Sequence, residues 1–261
     1  MPRIYCSTAL AAGNRLDLPA GAARHVQVLR LQPGNALTLF DGFGGEYAAT
    51  VQRMGRSDVV ADIGQHDPIE REAVRAIHLA VGLIASDRMD WFVEKATELG
   101  AASVQPLAAE RSVLRLAADR AAKKETHWRN VAIAACEQCG RNRLPLVHPV
   151  RTVASWLQAL RLPVMDHDED SSADPAAAQG DGAAGQAPSE RLVLSFAADS
   201  ERLQRPLEGV TPDMILLSGP EGGLTPQEEA LALRHGFRPT SLGSRTLRAE
   251  TAPLAALARL G

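Results

Sequence analysis

Apolar and polar positions follow two different rhythms along this 261-residue chain. Up to about residue 68 they read as small β structure. The stretches NALTLFDG (35–42) and GGEYAATVQRM (44–54) flank Asp41-Gly42-Phe43-Gly44-Gly45, a hairpin turn signal, and VVADIG (59–64) adds another strand. HDPIERE (66–72) is polar, contains a proline, and reads as a linker. From Ala73 onward, strand patterns alternate with helix patterns. AVRAIHLAVGLIA (73–85) reads as a buried strand. Ser86 or Asp87 then caps a helix in which Met89, Phe92, Val93, Ala96 and Leu99 recur at helical spacing, with Gly100 as the stop. SVQPL (103–107) is short and strand-like.

A second helix is predicted over roughly 120–139, with Trp128, Val131, Ala132, Ala135 and Cys139 on one face. Residues 166–190 hold Asp, Ala, Gly, Ser and Pro without periodicity, which predicts a mobile loop. RLVLSFA (191–197) and DMILLS (213–218) read as strands, followed by a helix ending near His235. FRPTSLG (237–243) is a further strand, and LRAETAPLAALARL (247–260) a closing helix. The alternation predicts an α/β fold with a mostly parallel sheet covered by helices.

Charge changes this picture in one respect. The net charge is −3, yet seven acidic residues and no Lys or Arg lie between Asp166 and Glu190. Setting those seven aside turns −3 into +4. Of 28 basic residues, 25 are arginines, whose planar forks pair with phosphates and stack on bases. On composition alone, a genome that favours Arg and Ala codons is the better explanation of the count. A mildly basic body is compatible with nucleic acid. No apolar run is long enough for a membrane span and the N-terminus lacks a signal-peptide pattern, so a cytoplasmic location is expected. Three cysteines make no disulfide framework. Cys136-x-x-Cys139 lacks further metal ligands at suitable spacing and lies late in its helix, away from the dipole that lowers a thiol pKa. Cys139 is therefore assigned to the core.

Candidate chemistry sits at strand ends. In LLSGPEGGLTPQEE (216–229), Thr225-Pro226-Gln227-Glu228 is a capping box with proline at the first helical position. The glycine loop before it should lie at the C-terminal edge of a parallel strand, where open α/β sheets bind ligands. An empty tight turn is the alternative. SLGSRTLRAETA (241–252) repeats the arrangement: strand, glycine, then a loop carrying Arg245, Arg248 and Glu250. If the two strands are neighbours, the two loops form one pocket. Glu137, Gln138, Arg141 and Asn142 crowd the end of the second helix.

SGPEGGLTPQEE followed by LGSRTLRAETA resembles the bacterial 16S ribosomal RNA uridine-N3 methyltransferase family of the SPOUT superfamily. DRMDWFVEKATELGAASVQPLAAERSV and AACEQCGRNRLP resemble its central blocks, and HVQVLRLQPGNALTLFDGFGGEYAA its N-terminal PUA-like barrel. The likeness spans nearly the whole chain apart from residues 166–190, an insertion where the family has a short connection. It departs also at Cys139, where a small polar residue is expected.

The resemblance implies residues 1–68 as an RNA-binding PUA-like β-barrel and 73–261 as a SPOUT methyltransferase domain with a C-terminal trefoil knot. It further implies a homodimer, S-adenosyl-L-methionine as cofactor, no metal, and 16S rRNA as partner within the small ribosomal subunit. The cofactor pocket it implies is Leu217, Ser218, Gly219, Glu221, Gly222, Gly223, Leu242, Gly243, Ser244 and Leu247. Arg248, Glu250 and Arg141 are the implied catalytic residues, Arg141 reaching in from a neighbouring subunit. Arg3, Arg24, His25 and Arg30 are the implied RNA contacts. A non-catalytic RNA-binding assembly factor, and a methyltransferase for another nucleotide, remain as alternatives.

Overall fold

The computed structural model describes residues 1–160, 190–197, 200–203 and 213–261. The predicted mobile loop at 166–190 lies outside these, except for Glu190, which opens a strand.

The N-terminal part forms a five-stranded sheet. Its elements are β1 (Arg3–Tyr5), β2 (Arg15–Asp17), α1 (Ala20–Val28), β3 (Ala36–Phe40), β4 (Glu46–Met54) and β5 (Val59–Asp67), with strand order β1-β3-β4-β5-β2. The strands β3 and β4 form the expected hairpin, β5 pairs antiparallel with β4, and β1 joins β3 in parallel. Ile4, Leu37, Leu39, Val51 and Ala61 point into one core, and α1 covers it with Ala22, Ala23 and Val26. The helix α1 was not anticipated. Pro19 stands at its N-cap in an extended conformation and Gly21 follows inside the first turn, so local residue choice resembles a loop. The burial of Val26 and its neighbours makes it a helix, a tertiary effect overriding propensity.

The second sheet is all parallel. It contains β6 (Ile77–Gly82), α2 (Ser86–Glu98), β7 (Ser103–Ala108), α3 (Ala118–Cys139), β8 (Leu146–Val147), β9 (Arg151–Thr152) and α4 (Val153–Ala159). Then come β10 (Glu190–Leu194), β11 (Glu201–Arg202), β12 (Met214–Ser218), α5 (Pro226–Arg234), β13 (Arg238–Ser241) and α6 (Thr251–Leu260). The order is β11-β13-β10-β12-β6-β7-β8, with β9 also pairing β7. Both faces are covered, as a parallel sheet requires. Leu79 and Val81 of β6 pack with Met89, Phe92, Trp128 and Leu257 from α2, α3 and α6. Ala80 faces the other side, with Trp156 and Leu157 of α4, Ala232 of α5 and Phe237.

Several boundaries differ from expectation. The β6 strand spans 77–82 rather than 73–85, and α6 begins at Thr251 rather than Leu247. Neither Ser86 nor Asp87 caps α2: its N-cap is Ala85, without a side-chain cap of its own. Cys136, not Cys139, is the fully buried cysteine of α3, and Leu99 is exposed at the end of α2. The α3 helix stops at Gly140, which adopts the left-handed conformation (φ 89°) that a residue with Cβ disfavours.

The end of α3 joins the two sheets. Glu137 Oε1 accepts hydrogen bonds from the Tyr5 backbone N–H (2.9 Å) and lies 3.1 Å from His25 Nδ1. Arg3 donates to Glu46, to Asn142 Oδ1 (2.6 Å) and to the Arg141 carbonyl (3.2 Å), with its guanidinium over the Phe40 ring. The polar residues that crowd this helix end therefore hold the molecule together.

Candidate functional site

A cavity of about 460 Å³ opens at the C-terminal edge of the parallel sheet. The glycine loop after β12 and the loop after β13 both line it, as the spacing of the motifs predicts. They are not on neighbouring strands, however: β10 lies between β12 and β13. The turn after β10, including Ser195 and Phe196, thus supplies a third wall that sequence reading missed.

The glycine loop is held from several sides. Ser218 stays in register with Val81 of β6, so the strand ends against a fixed neighbour. The Gly223 N–H donates to the Pro220 carbonyl at 2.8 Å, closing a turn whose φ of 69° at Gly223 suits glycine. The capping box is complete. The Glu228 N–H donates to Thr225 Oγ1 (3.2 Å), and the Thr225 N–H donates to Glu228 Oε2 (2.9 Å). Glu228 Oε1 also accepts from the Glu110 N–H (2.9 Å). Arg111 clamps the loop from outside, donating to the carbonyls of Gly222 (3.1 Å) and Leu224 (3.4 Å). Its side chain carries no local signature; only the fold brings it 111 residues along the chain to Gly222.

Of the predicted pocket residues, Ser218, Gly219, Glu221, Gly222, Gly223, Leu242, Gly243 and Leu247 line the cavity. Leu217 and Ser244 do not. Leu217 faces the packed cluster with Val193 and Ala80, because alternation along β12 turns it away from Ser218. Ser244 is exposed. The rest of the lining is mixed, with Leu194 and Phe196 among its apolar residues and Thr240 and Arg245 among its polar ones. A hypothetical Cβ on Gly223 or Gly243 meets no atom within 4 Å, so these glycines leave open room beside their backbone. The size and mixed lining suit a small molecule, whose sites run from about 300 to 1,000 Å³.

Residues 247–250 form the partition between this cavity and a second cleft of about 300 Å³. Leu247 and Ala249 face the first; Arg248 and Glu250 face the second, together with Asp87, Arg88, Trp91 and Thr251. Arg248 is exposed and makes no ion pair among the described residues. Glu250 is 93% buried (7% exposed), and its Oε2 has no hydrogen-bond partner among the described residues. Its ion-pair neighbour is Arg88, whose Nε lies 3.9 Å from Glu250 Oε1. Arg88 Nη1 also lies 3.9 Å from Glu221 Oε1. Glu221 Oε1 accepts the Ala85 N–H at 3.0 Å, supplying α2 with the cap its own sequence lacks. The first turn of α2 therefore ties both loops together.

Arg141 is a correction. It is buried (5% exposed), fork-paired with Glu72, and donates to the carbonyls of Thr97 (2.8 Å) and Ala101 (3.1 Å). A guanidinium committed in this way is part of the packing and does not reach another site. Arg3 is likewise committed to the seam between the sheets, and His25 faces Glu137, whereas Arg24 and Arg30 are exposed. Among the described residues, no cluster of His, Cys, Asp and Glu could hold a metal ion, and no helix is long and apolar enough to cross a membrane.

Comparison with known proteins agrees with this architecture. Residues 70–261 match the family model of an RNA methyltransferase domain, and residues 18–64 that of an RNA methyltransferase PUA domain. The chain is 32% identical over 237 residues to ribosomal RNA small subunit methyltransferase E of Bacillus subtilis, covering 90% of this chain and 84% of that one. To the protein of that name from Mycobacterium tuberculosis it is 30% identical, covering 90% and 80%. Among solved structures, that of ribosomal RNA small subunit methyltransferase E from Neisseria gonorrhoeae, bound to S-adenosyl methionine, superposes with a TM-score of 0.83. The two are 34% identical, with 99% of this chain and 96% of that one covered. A Legionella pneumophila protein in complex with the bound cofactor SAM superposes with a TM-score of 0.81 at 34% identity, covering 98% and 94%.

Proposed function

The chain belongs to the ribosomal RNA small subunit methyltransferase E family, and on that premise we propose that it transfers a methyl group from S-adenosylmethionine to N3 of a uridine in 16S ribosomal RNA. The observation that carries this reading is the glycine-lined cavity at the sheet edge, in a chain that superposes over nearly its full length on a relative solved with S-adenosyl methionine. The open space beside Gly223 and Gly243 fits a ligand lying against backbone. Gly219, Gly222 and Gly243 would approach it through main chain, with Leu242 and Leu247 excluding water. When bound, S-adenosylmethionine supplies an electrophilic methyl on a cationic sulfonium.

The protein's own task is to prepare the nucleophile. N3 of uracil carries a proton at neutral pH. Removing it leaves negative charge on N3 and the two carbonyl oxygens. Arg248, which makes no ion pair among the described residues, stabilises that charge, and Glu250, whose Oε2 has no hydrogen-bond partner among them, takes the proton. Glu221 is occupied with the Ala85 N–H, so its role is to fix the loop. The working unit in this reading is a homodimer acting on the small subunit in the cytoplasm. The reading includes a C-terminal trefoil knot, and the packing of α6 on central β6 and β12 after edge-side β13 is compatible with it.

Arg248→Ala tests the assignment. It should keep cofactor affinity by calorimetry and lose about 10²- to 10³-fold in methyl transfer to small-subunit particles. Normal turnover in that variant would remove Arg248 from the mechanism.

A further inference from the structure

A third cavity, of about 550 Å³, opens at the other end of the parallel strands from the donor site and shares no lining residue with it. Its floor is one row of the sheet. Ile215, His78 and Ser103 are cross-strand neighbours on β12, β6 and β7. Two positions on, Leu217 and Ala80 share their face and pack with Trp156 and Phe237, as the covered face of a parallel sheet should. The row at His78 breaks that rule: an imidazole and a hydroxyl stand where apolar side chains are expected. Ser103 is buried, and its Oγ lies 2.8 Å from His78 Nδ1. That contact fixes the ring and leaves Nε2 without a partner among the described residues.

His148, after β8, and Arg151, in β9, line the same cavity. Among the described residues neither side chain has a hydrogen-bond or ion-pair partner. Burial, then the charges of His78 and Arg151, disfavour a proton on His148, while Glu125 favours one; at His78 burial disfavours it and Asp213 opposes. Neither acid forms an ion pair with these groups. Basic groups that repel one another around a void are relieved by an anion, which accepts their hydrogen bonds and restores their protons. Three donors from three places on the chain call for the three acceptor oxygens of a phosphate rather than the two of a carboxylate. Trp156, Leu160 and Ile215 add an apolar surface to the lining. We propose that this cavity binds a small organic phosphate, its anionic head held by His78, His148 and Arg151 and its apolar body lying against Trp156 and Leu160. The proposal stands independently of the methyltransferase reading.

Calorimetry on the full-length protein tests this with phenyl phosphate, inorganic phosphate and phenol as probes. Phenyl phosphate should bind more tightly than inorganic phosphate, and phenol should not bind. Both imidazoles are held below the usual 6.5 and are neutral near pH 7.5. Binding of phenyl phosphate should therefore take up protons, read as a dependence of the heat on the ionisation enthalpy of the buffer. Arg151→Gln should weaken binding by about 10- to 150-fold, the range for a hydrogen bond to a charged group. The double change His78→Gln, His148→Gln should abolish the proton uptake. Both variants should keep their affinity for S-adenosylmethionine, which also reports that the fold is intact. Failure of the full-length protein to bind phenyl phosphate would overturn the proposal. So would binding that ignores both variants, since the anion would then sit elsewhere. Displacement of phenyl phosphate by S-adenosylmethionine would place it in the donor cavity and overturn the proposal equally.

Discussion

Gly82→Ala probes the joint on which the donor cavity rests. Gly82 is the last residue of β6, paired with Leu107 of β7. A Cβ placed on it falls 2.4 Å from both Cδ and N of Pro220 and 3.0 Å from the Gly219 carbonyl carbon, where ordinary contact begins near 3.4 Å. The first turn of the glycine loop would have to retreat by about 1 Å. It has little freedom to do so. Ser218 before it is locked against Val81, Arg111 grips the carbonyls of Gly222 and Leu224, and Thr225 is fixed by its capping box.

Overpacking of this kind costs about 1–3 kcal/mol. The same displacement moves the glycine-loop wall of the cavity. A penalty of that size on the binding-competent loop lowers donor affinity by about 5- to 150-fold. Urea titration measures the first effect and calorimetry with S-adenosylmethionine the second. Gly21→Ala is the control: its Cβ meets nothing within 4 Å, and it lies inside α1. It should stabilise by about 0.5–1 kcal/mol and leave donor affinity alone. If Gly82→Ala binds the donor as tightly as the unaltered protein, the close approach of β6 to the loop does not shape the site.

Three further outcomes are expected. Thr225→Ala removes the cap of α5 and releases Glu228, and should cost about 1 kcal/mol in urea unfolding. Burial holds the imidazoles of His78 and His148 below the usual 6.5; Asp213 opposes this at His78, while the charges of His78 and Arg151 add to it at His148. The unfolded chain then binds protons more readily than the folded one, so stability should fall as pH drops through 6.5 toward those depressed values. The double change His78→Gln, His148→Gln should flatten the urea midpoint in that window. Burial also pushes the Cys136 thiol up to about 12, so iodoacetamide at pH 8 should label Cys136 only after unfolding, as read by peptide mass spectrometry.

What the sequence revealed follows from the range of the interaction involved. The Thr225–Glu228 box and the glycines before it obey rules that operate within a few residues, and the structure contains them as read. The approach of the two loops could be anticipated, but not the insertion of β10 between β12 and β13, because strand order is set by pairings far apart in the chain. The same holds for individual side chains. Glu221 is a cofactor-pocket residue by resemblance, and only the fold places the Ala85 N–H, 136 residues away, against it. Arg141 sits in a polar run that reads as functional, and only burial beside Glu72 shows that it is structural. Arg88, Trp91 and Arg111 are ordinary helix and loop residues by pattern; their positions around the two cavities come entirely from tertiary packing.

The central claim is the reaction itself. Small-subunit RNA lacking the modification is incubated with the purified protein and S-adenosylmethionine, digested to nucleosides and measured by mass spectrometry. The account predicts that 3-methyluridine appears, approaching one per RNA, and that it is absent when the protein is omitted. RNA that gains no methyl group, or gains it on any nucleoside position other than N3 of uridine, would contradict it.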